Sequence, residues 1–164
     1  MTMSVFGQET KTDKAIRFYP SYVFVAGVRA HNGPGLVVSL PGELGKFRLL
    51  FFAKSLAWET YEERGLGLEY SKLINEANDN PRYRITSGFI YSAENLYGAA
   101  RLPEKMVTIY CGGSFVYDIN SFVTAEAVLA PAFTTLVSLP SNYWFRTDGS
   151  SFALTGRLSV RFKM

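Results

Sequence analysis

Very few residues in this chain have the chemistry to form a catalytic centre. His31 is the sole histidine and Cys111 the sole cysteine, so any serine or cysteine triad would have to use His31 as its base. His31 sits in "AHNGPG", a stretch of turn chemistry with no G-x-S-x-G elbow in the chain to accompany it. Cys111 ends an apolar run just before Gly112 and Gly113. No cation or helix start nearby would depress its pKa, so it reads as a small buried hydrophobe. One Cys and one His far apart supply no metal-ligand spacing. No P-loop or dinucleotide fingerprint occurs either, so no metal and no cofactor are expected. Carboxylates are densest at Glu59, Glu62, Glu63, Glu69, Glu76 and Asp79, interleaved with Arg64 and Lys72. The simplest reading is the solvated face of a helix.

Two aromatic groups could bind rather than react. "SNYWFR" sets Tyr143 and Trp144 beside Phe145 and Arg146 near a turn, and Trp58 lies in "SLAWETYEER". Exposed rings of this kind stack on sugars or unpaired bases. Tyr143, Trp144 and Trp58 are therefore candidate stacking residues, and a glycan ligand stays open. The charge pattern points elsewhere. Net charge is +3, and residues 141 to 164 hold Arg146, Arg157, Arg161 and Lys163 against Asp148, leaving thirteen charges of each sign in the rest of the chain. In "GRLSVRFKM" the basic residues alternate with Leu158, Val160, Phe162 and Met164. This is a strand whose apolar side is expected to face the core and whose basic side faces an acidic neighbour. Arg146, Arg157, Arg161 and Lys163 are the candidate subunit or acidic-partner contacts. Three charges on one stripe would give nucleic acid only weak, salt-sensitive binding.

Elements that would position these groups follow from periodicity. Period-two alternation predicts strands over 16–29, 36–40, 46–54, 82–91, 106–111, 114–119, 122–129, 133–139, 143–147 and 152–163, with Gly and Pro turns between them. Gly156 would mark a bend or bulge in the last of these. Leu66, Tyr70, Leu73, Ile74 and Ala77 fall at helical spacing, which predicts a helical insertion around residues 55–80 ended by "NDNP". The expected fold is mainly β: an antiparallel β-sandwich or jelly-roll-like barrel with that one helical insertion. Residues 1–15 would form an N-terminal arm and residues 16–164 a single β-rich domain.

Apolar residues make up 48% of the 164, enough for a globular core. The longest apolar runs fall short of a membrane helix. Alternating strands are also compatible with an outer-membrane barrel, but the polar start "MTMSVFGQETKTDK" lacks a secretory h-region, which argues against it. Cytoplasmic synthesis without membrane insertion is the expectation.

In pattern, the short strands, the helical excursion and the strand running to the last residue resemble jelly-roll and related β-sandwich coat, spike and decoration proteins of icosahedral viruses and phages. That resemblance implies a non-enzymatic structural protein, a bacteriophage virion component such as a capsid decoration, spike or accessory coat protein. Its partners would be copies of itself or other particle proteins. The alternatives are a carbohydrate-binding β-sandwich module using the exposed aromatics and a small β-barrel enzyme.

Overall fold

The structure, a computed structural model, describes residues 16–26, 31–41, 46–56, 61–96, 104–137 and 151–162. Eight strands follow one another: β1 Arg17–Ala26, β2 His31–Ser39, β3 Phe47–Leu56, β4 Tyr61–Leu73, β5 Arg82–Leu96, β6 Glu104–Asp118, β7 Val123–Leu136 and β8 Ser151–Phe162. Each pairs antiparallel with its sequence neighbour, and β8 pairs back onto β1 over Ser21↔Ser159 to Ala26↔Leu154. The result is a closed up-and-down barrel. Closure leaves no sheet edge, so β8 is hydrogen-bonded on both sides.

This differs from the expected sandwich, jelly roll and helical insertion. Residues 61–73 form β4, and the described residues contain no α-helix. The helical spacing of Leu66 and Tyr70 coincides with a second pattern that the strand obeys. Leu66, Leu68 and Tyr70 take one side, while Glu63, Gly65, Gly67, Glu69 and Ser71 take the other. Two glycines in four residues also weigh against a helix by about 1 kcal/mol each. The "NDNP" stretch belongs to the β4–β5 turn rather than to a helix end. Asn75 Oδ1 accepts from Tyr83 N at 2.7 Å, and Asn80 Oδ1 accepts from Asp118 N at 2.9 Å, tying this turn to its neighbour.

Two predicted breaks are strand interiors. The "CGG" stretch runs straight through β6, with Gly112 opposite Thr86. The "APA" stretch runs through β7, where Pro131 stands opposite Leu154 and faces outward. The β6–β7 ladder is interrupted at Pro131 and Ala130 and resumes in the same register beyond them, as expected where proline lacks its N–H. Gly156 makes neither bend nor bulge, since β8 keeps a single register through it. A Cβ there would meet the Phe24 ring.

An eight-stranded barrel has a lumen just wide enough to be filled by side chains, so bulk on one strand must meet a gap on another. Gly65 supplies such a gap: a Cβ at this position would overlap the Phe52 ring. Gly88 leaves room for the Tyr110 phenol in the same way. Gly65→Val is expected to destabilise the barrel by about 1–3 kcal/mol through overpacking. In a Phe52→Ala background most of that loss should disappear, and denaturant unfolding of the four proteins of this cycle measures the difference.

Candidate functional site: a charged lumen inside an apolar wall

Inward positions on successive strands carry the chain's buried charge. Arg48 (β3), Glu69 (β4), Glu126 (β7) and Arg157 (β8) are each at most 2% exposed. The Arg48 guanidinium bridges both carboxylates, with Nη1 at 3.2 Å from Glu69 Oε1 and 2.6 Å from Glu126 Oε1. Arg157 Nη2 lies 2.7 Å from Glu69 Oε1 and 3.7 Å from Glu126 Oε1. Arg161 Nη2 closes on Glu126 Oε2 at 2.5 Å while its guanidinium stacks 4.7 Å over the Tyr19 ring. Tyr110 donates to Glu69 Oε2 at 3.0 Å, and Arg157 Nη1 donates to Ser159 Oγ at 2.7 Å. Five strands are thereby joined across the lumen by charge-assisted bonds, which are about twice as strong as neutral ones.

This layer lies towards the mouth where β1 begins and β8 ends, called here the near mouth. At its rim Arg82 Nη2 meets Asp118 Oδ1 at 2.7 Å. Below it, Thr86 donates to Ser71 at 3.4 Å and to Ser114 at 3.2 Å. Towards the far mouth the lumen is closed by Val23, Val25, Val37, Leu50, Phe52 and Ile90 with Ala130 and Ala132. Between the two layers lies a cavity of about 10 Å³ bordered by Leu50, Glu69, Tyr110 and Arg157, room for a single water at most. Among the described residues, the inward side chains of these two layers pack against one another across the lumen.

The outer wall has the opposite character. Ile109 is 60% exposed, Leu129 56% and Leu158 57%, and every strand adds apolar residues of the same kind, among them Phe18, Leu36, Phe51, Leu66 and Phe89. On β4 the outward Arg64 and Lys72 bracket Leu66, Leu68 and Tyr70. Eight positions at ~3.3 Å, tilted by ~40°, set these two charges about 20 Å apart along the barrel axis. Aromatic residues gather at both borders of the band. Phe47 and Tyr70 sit 5.3 Å apart, and Phe115 stacks on Tyr117 at 6.3 Å, both towards the near mouth; Phe133 meets Phe152 at 6.0 Å towards the far one. Such a surface far exceeds the few hundred Å² of exposed apolar patch that soluble monomers carry.

The terminal strand reverses the sequence expectation. Its alternation is present, but Leu158, Val160 and Phe162 face outward and Arg157 and Arg161 face the lumen. The carboxylates that meet Arg157 and Arg161 belong to Glu69 and Glu126 of the same chain. Glu63 and Glu69, expected on a solvated face, are buried in the lumen. Cys111, expected to be buried, is exposed on the outer wall. Arg146, Lys163, Tyr143, Trp144 and Trp58 lie outside the described residues. Arg48, Glu126 and Tyr110, central to the network, were not singled out by sequence reasoning. Their signal was available: each alternates with residues of an unbroken apolar face.

No protein-family model matches the chain, and no curated protein sequence matches it. Among solved structures it is similar to Neisserial surface protein A (NspA), at 9% identity and a TM-score of 0.50, over 91% of this chain and 100% of that one. It also overlaps the N-terminal β-barrel domain of Pseudomonas aeruginosa OprF, at 10% identity and a TM-score of 0.46, over 92% of this chain and 99% of that domain. The first likeness is one of fold, a closed eight-stranded β-barrel and not a sandwich or jelly roll. With the apolar wall it overturns the resemblance to virion proteins and the assigned role of capsid decoration, spike or accessory coat protein. The carbohydrate-module and small-enzyme alternatives gain no support. The expectations of cytoplasmic or virion location, of particle partners and of no membrane insertion fall with them.

Removing the Glu126 carboxylate takes an ion-pair partner from Arg48, Arg157 and Arg161, and of these Arg48 and Arg157 keep Glu69 while Arg161 does not. Glu126→Gln is expected to cost about 3–5 kcal/mol. Asp118→Asn, at a pair whose side chains are 20% and 25% exposed, should cost about 1 kcal/mol or less. Urea unfolding of the folded barrel compares the two, and equal losses would mean that the inner network is not the stabilising element.

Proposed function

We propose that this chain is a membrane-spanning β-barrel of the outer-membrane type, with a sealed lumen and no enzymatic activity. The observation that carries this reading is the inverted polarity: charge and hydroxyls inside, apolar side chains outside, on a barrel with no unpaired backbone edge. In hydrocarbon every backbone N–H and C=O must be satisfied within the protein, and a closed barrel does so. An apolar band between aromatic borders is the outer surface such a barrel needs. That no described helix is long and apolar enough to cross a membrane is immaterial to a protein that crosses with strands.

The sealed lumen limits what such a protein does. Ions and solutes have no path past Arg48, Glu69, Glu126 and Arg157 or past the aliphatic layer beyond them. Its work therefore falls to the outer wall, the two mouths and the connections between strands.

The full chain is expected to fold into phospholipid vesicles and to yield a trypsin-resistant barrel fragment there. Cooperative folding as a monomer in detergent-free, lipid-free buffer would overturn the proposal. In vesicles Ile109→Arg, placed outward in the band, should lose about 2–4 kcal/mol if it lies near the bilayer midplane. On a water-exposed surface the same change would lie within about 0.5 kcal/mol. Planar-bilayer recordings of the parent should show no stepwise conductance, whereas regular open-channel steps would contradict a plugged lumen.

A further inference from the structure

Arg84 stands apart from the network beside it. It points into the lumen from β5, one inward step above Thr86 and one below Arg82. Arg82 is its next inward neighbour on β5; unlike Arg48, Arg82, Arg157 and Arg161, whose Nε atoms are also buried without a partner, Arg84 takes part in none of the hydrogen bonds or ion pairs between described residues. The carboxylates nearby are engaged by other groups: Glu69 by Arg48, Arg157 and Tyr110, Glu126 by Arg48, Arg157 and Arg161, and Asp118 by Arg82 and Thr124. Among the described residues of this layer, five guanidinium groups thus face three carboxylates.

A partly enclosed cation beside three others of its sign is costly unless an anion answers it. The guanidinium fork is shaped for a tetrahedral or planar oxyanion, which it binds through two parallel N–H donors. On the near-mouth side the Arg82–Asp118 pair at the rim is partly exposed among the described residues, while the aliphatic layer lies on the other side. We propose that the near mouth of the lumen is a binding site for a small oxyanion of the phosphate class, held by Arg84 with Arg82 and Arg161 beside it. The ion enters from water, since Arg84 faces the lumen and not the lipid-facing wall. This inference rests on the lumen geometry and holds whether or not the barrel lies in a membrane.

The test uses the full chain folded in a non-ionic detergent free of phospholipid, so that any effect of added phosphate belongs to the free ion and not to a headgroup. Inorganic phosphate should raise the unfolding temperature beyond chloride at equal ionic strength, as a ligand of the folded state does. Arg84→Gln should bind phosphate roughly tenfold more weakly or worse, the loss expected for a charge-assisted hydrogen bond. Without phosphate, that variant should be at least as stable as the parent, because it sheds a repelled charge. No phosphate effect beyond chloride in the parent, or the same effect in Arg84→Gln, would overturn the site. Should Arg84→Gln fail to fold, Arg84→Lys decides: a clearly reduced phosphate effect supports the guanidinium fork, and an undiminished one overturns it.

Discussion

Glu126 and Glu69 hold the lumen together, and the rest of the barrel is arranged around the need to keep them paired. Two carboxylates without access to water cost several kcal/mol each to bury, and only near-complete pairing offsets this. Arg48 reaches both, Arg157 reaches both and Arg161 adds a third guanidinium to Glu126. Those cations come from β3 and β8, the anions from β4 and β7. The network therefore forms only when the sheet has closed, and closing the sheet is what excludes water from it.

The same closure explains the outer wall. An eight-stranded lumen has too little volume for the chain's large aliphatic and aromatic side chains, so most of them must point out. Inward positions are left to residues of matched size, Gly65 under Phe52 and Gly88 under Tyr110, and to Arg48 and Arg157 reaching across to carboxylates on other strands. In a water-soluble fold this distribution would sacrifice the hydrophobic term that dominates stability. In lipid it loses little, because hydrocarbon solvates the outer side chains as well as a core would. Polarity inversion and a narrow lumen are therefore one constraint seen from two sides.

Strand positions were legible because period-two alternation does not depend on which side is wet. Seven of the eight strands overlap a stretch predicted as extended, and the misplaced ends cluster at glycine and proline. The exception, β4, was read as a helix because Leu66 and Tyr70 satisfy both periods and Leu73, Ile74 and Ala77 extend the helical one, while the inward Gly65 and Gly67 favour the strand. What could not be read was the sign of the alternation. "GRLSVRFKM" looks the same whether Leu158 or Arg157 faces inward, and the assumption that the apolar side faces the interior chose wrongly. Long-range pairs such as Arg48 with Glu126, 78 positions apart, appear only once strand order is known. A mainly apolar face on each strand, set against a face where Gly, Ser, Thr, Arg and Glu accompany the aliphatic residues, was the signal for the opposite choice.

Charge in the lumen also solves a problem that the apolar wall creates. Sliding a strand by two residues keeps every apolar side chain outward and every polar one inward, so lipid scarcely distinguishes the two registers. The lumen does distinguish them. Shifting β8 by two residues against β7 would carry Arg157 and Arg161 about 7 Å along the strand, out of their present ion pairs, and leave Arg48 to face both buried carboxylates. The cost of that mismatch, several kcal/mol per uncompensated ion, is what selects Glu126↔Ser159 over its neighbours. Aliphatic residues in the same places would fill the lumen as well, yet pack nearly as well after a slip. The buried ion pairs therefore serve register before they serve stability, and a barrel whose outer surface is indifferent to sliding has to carry that information on the inside.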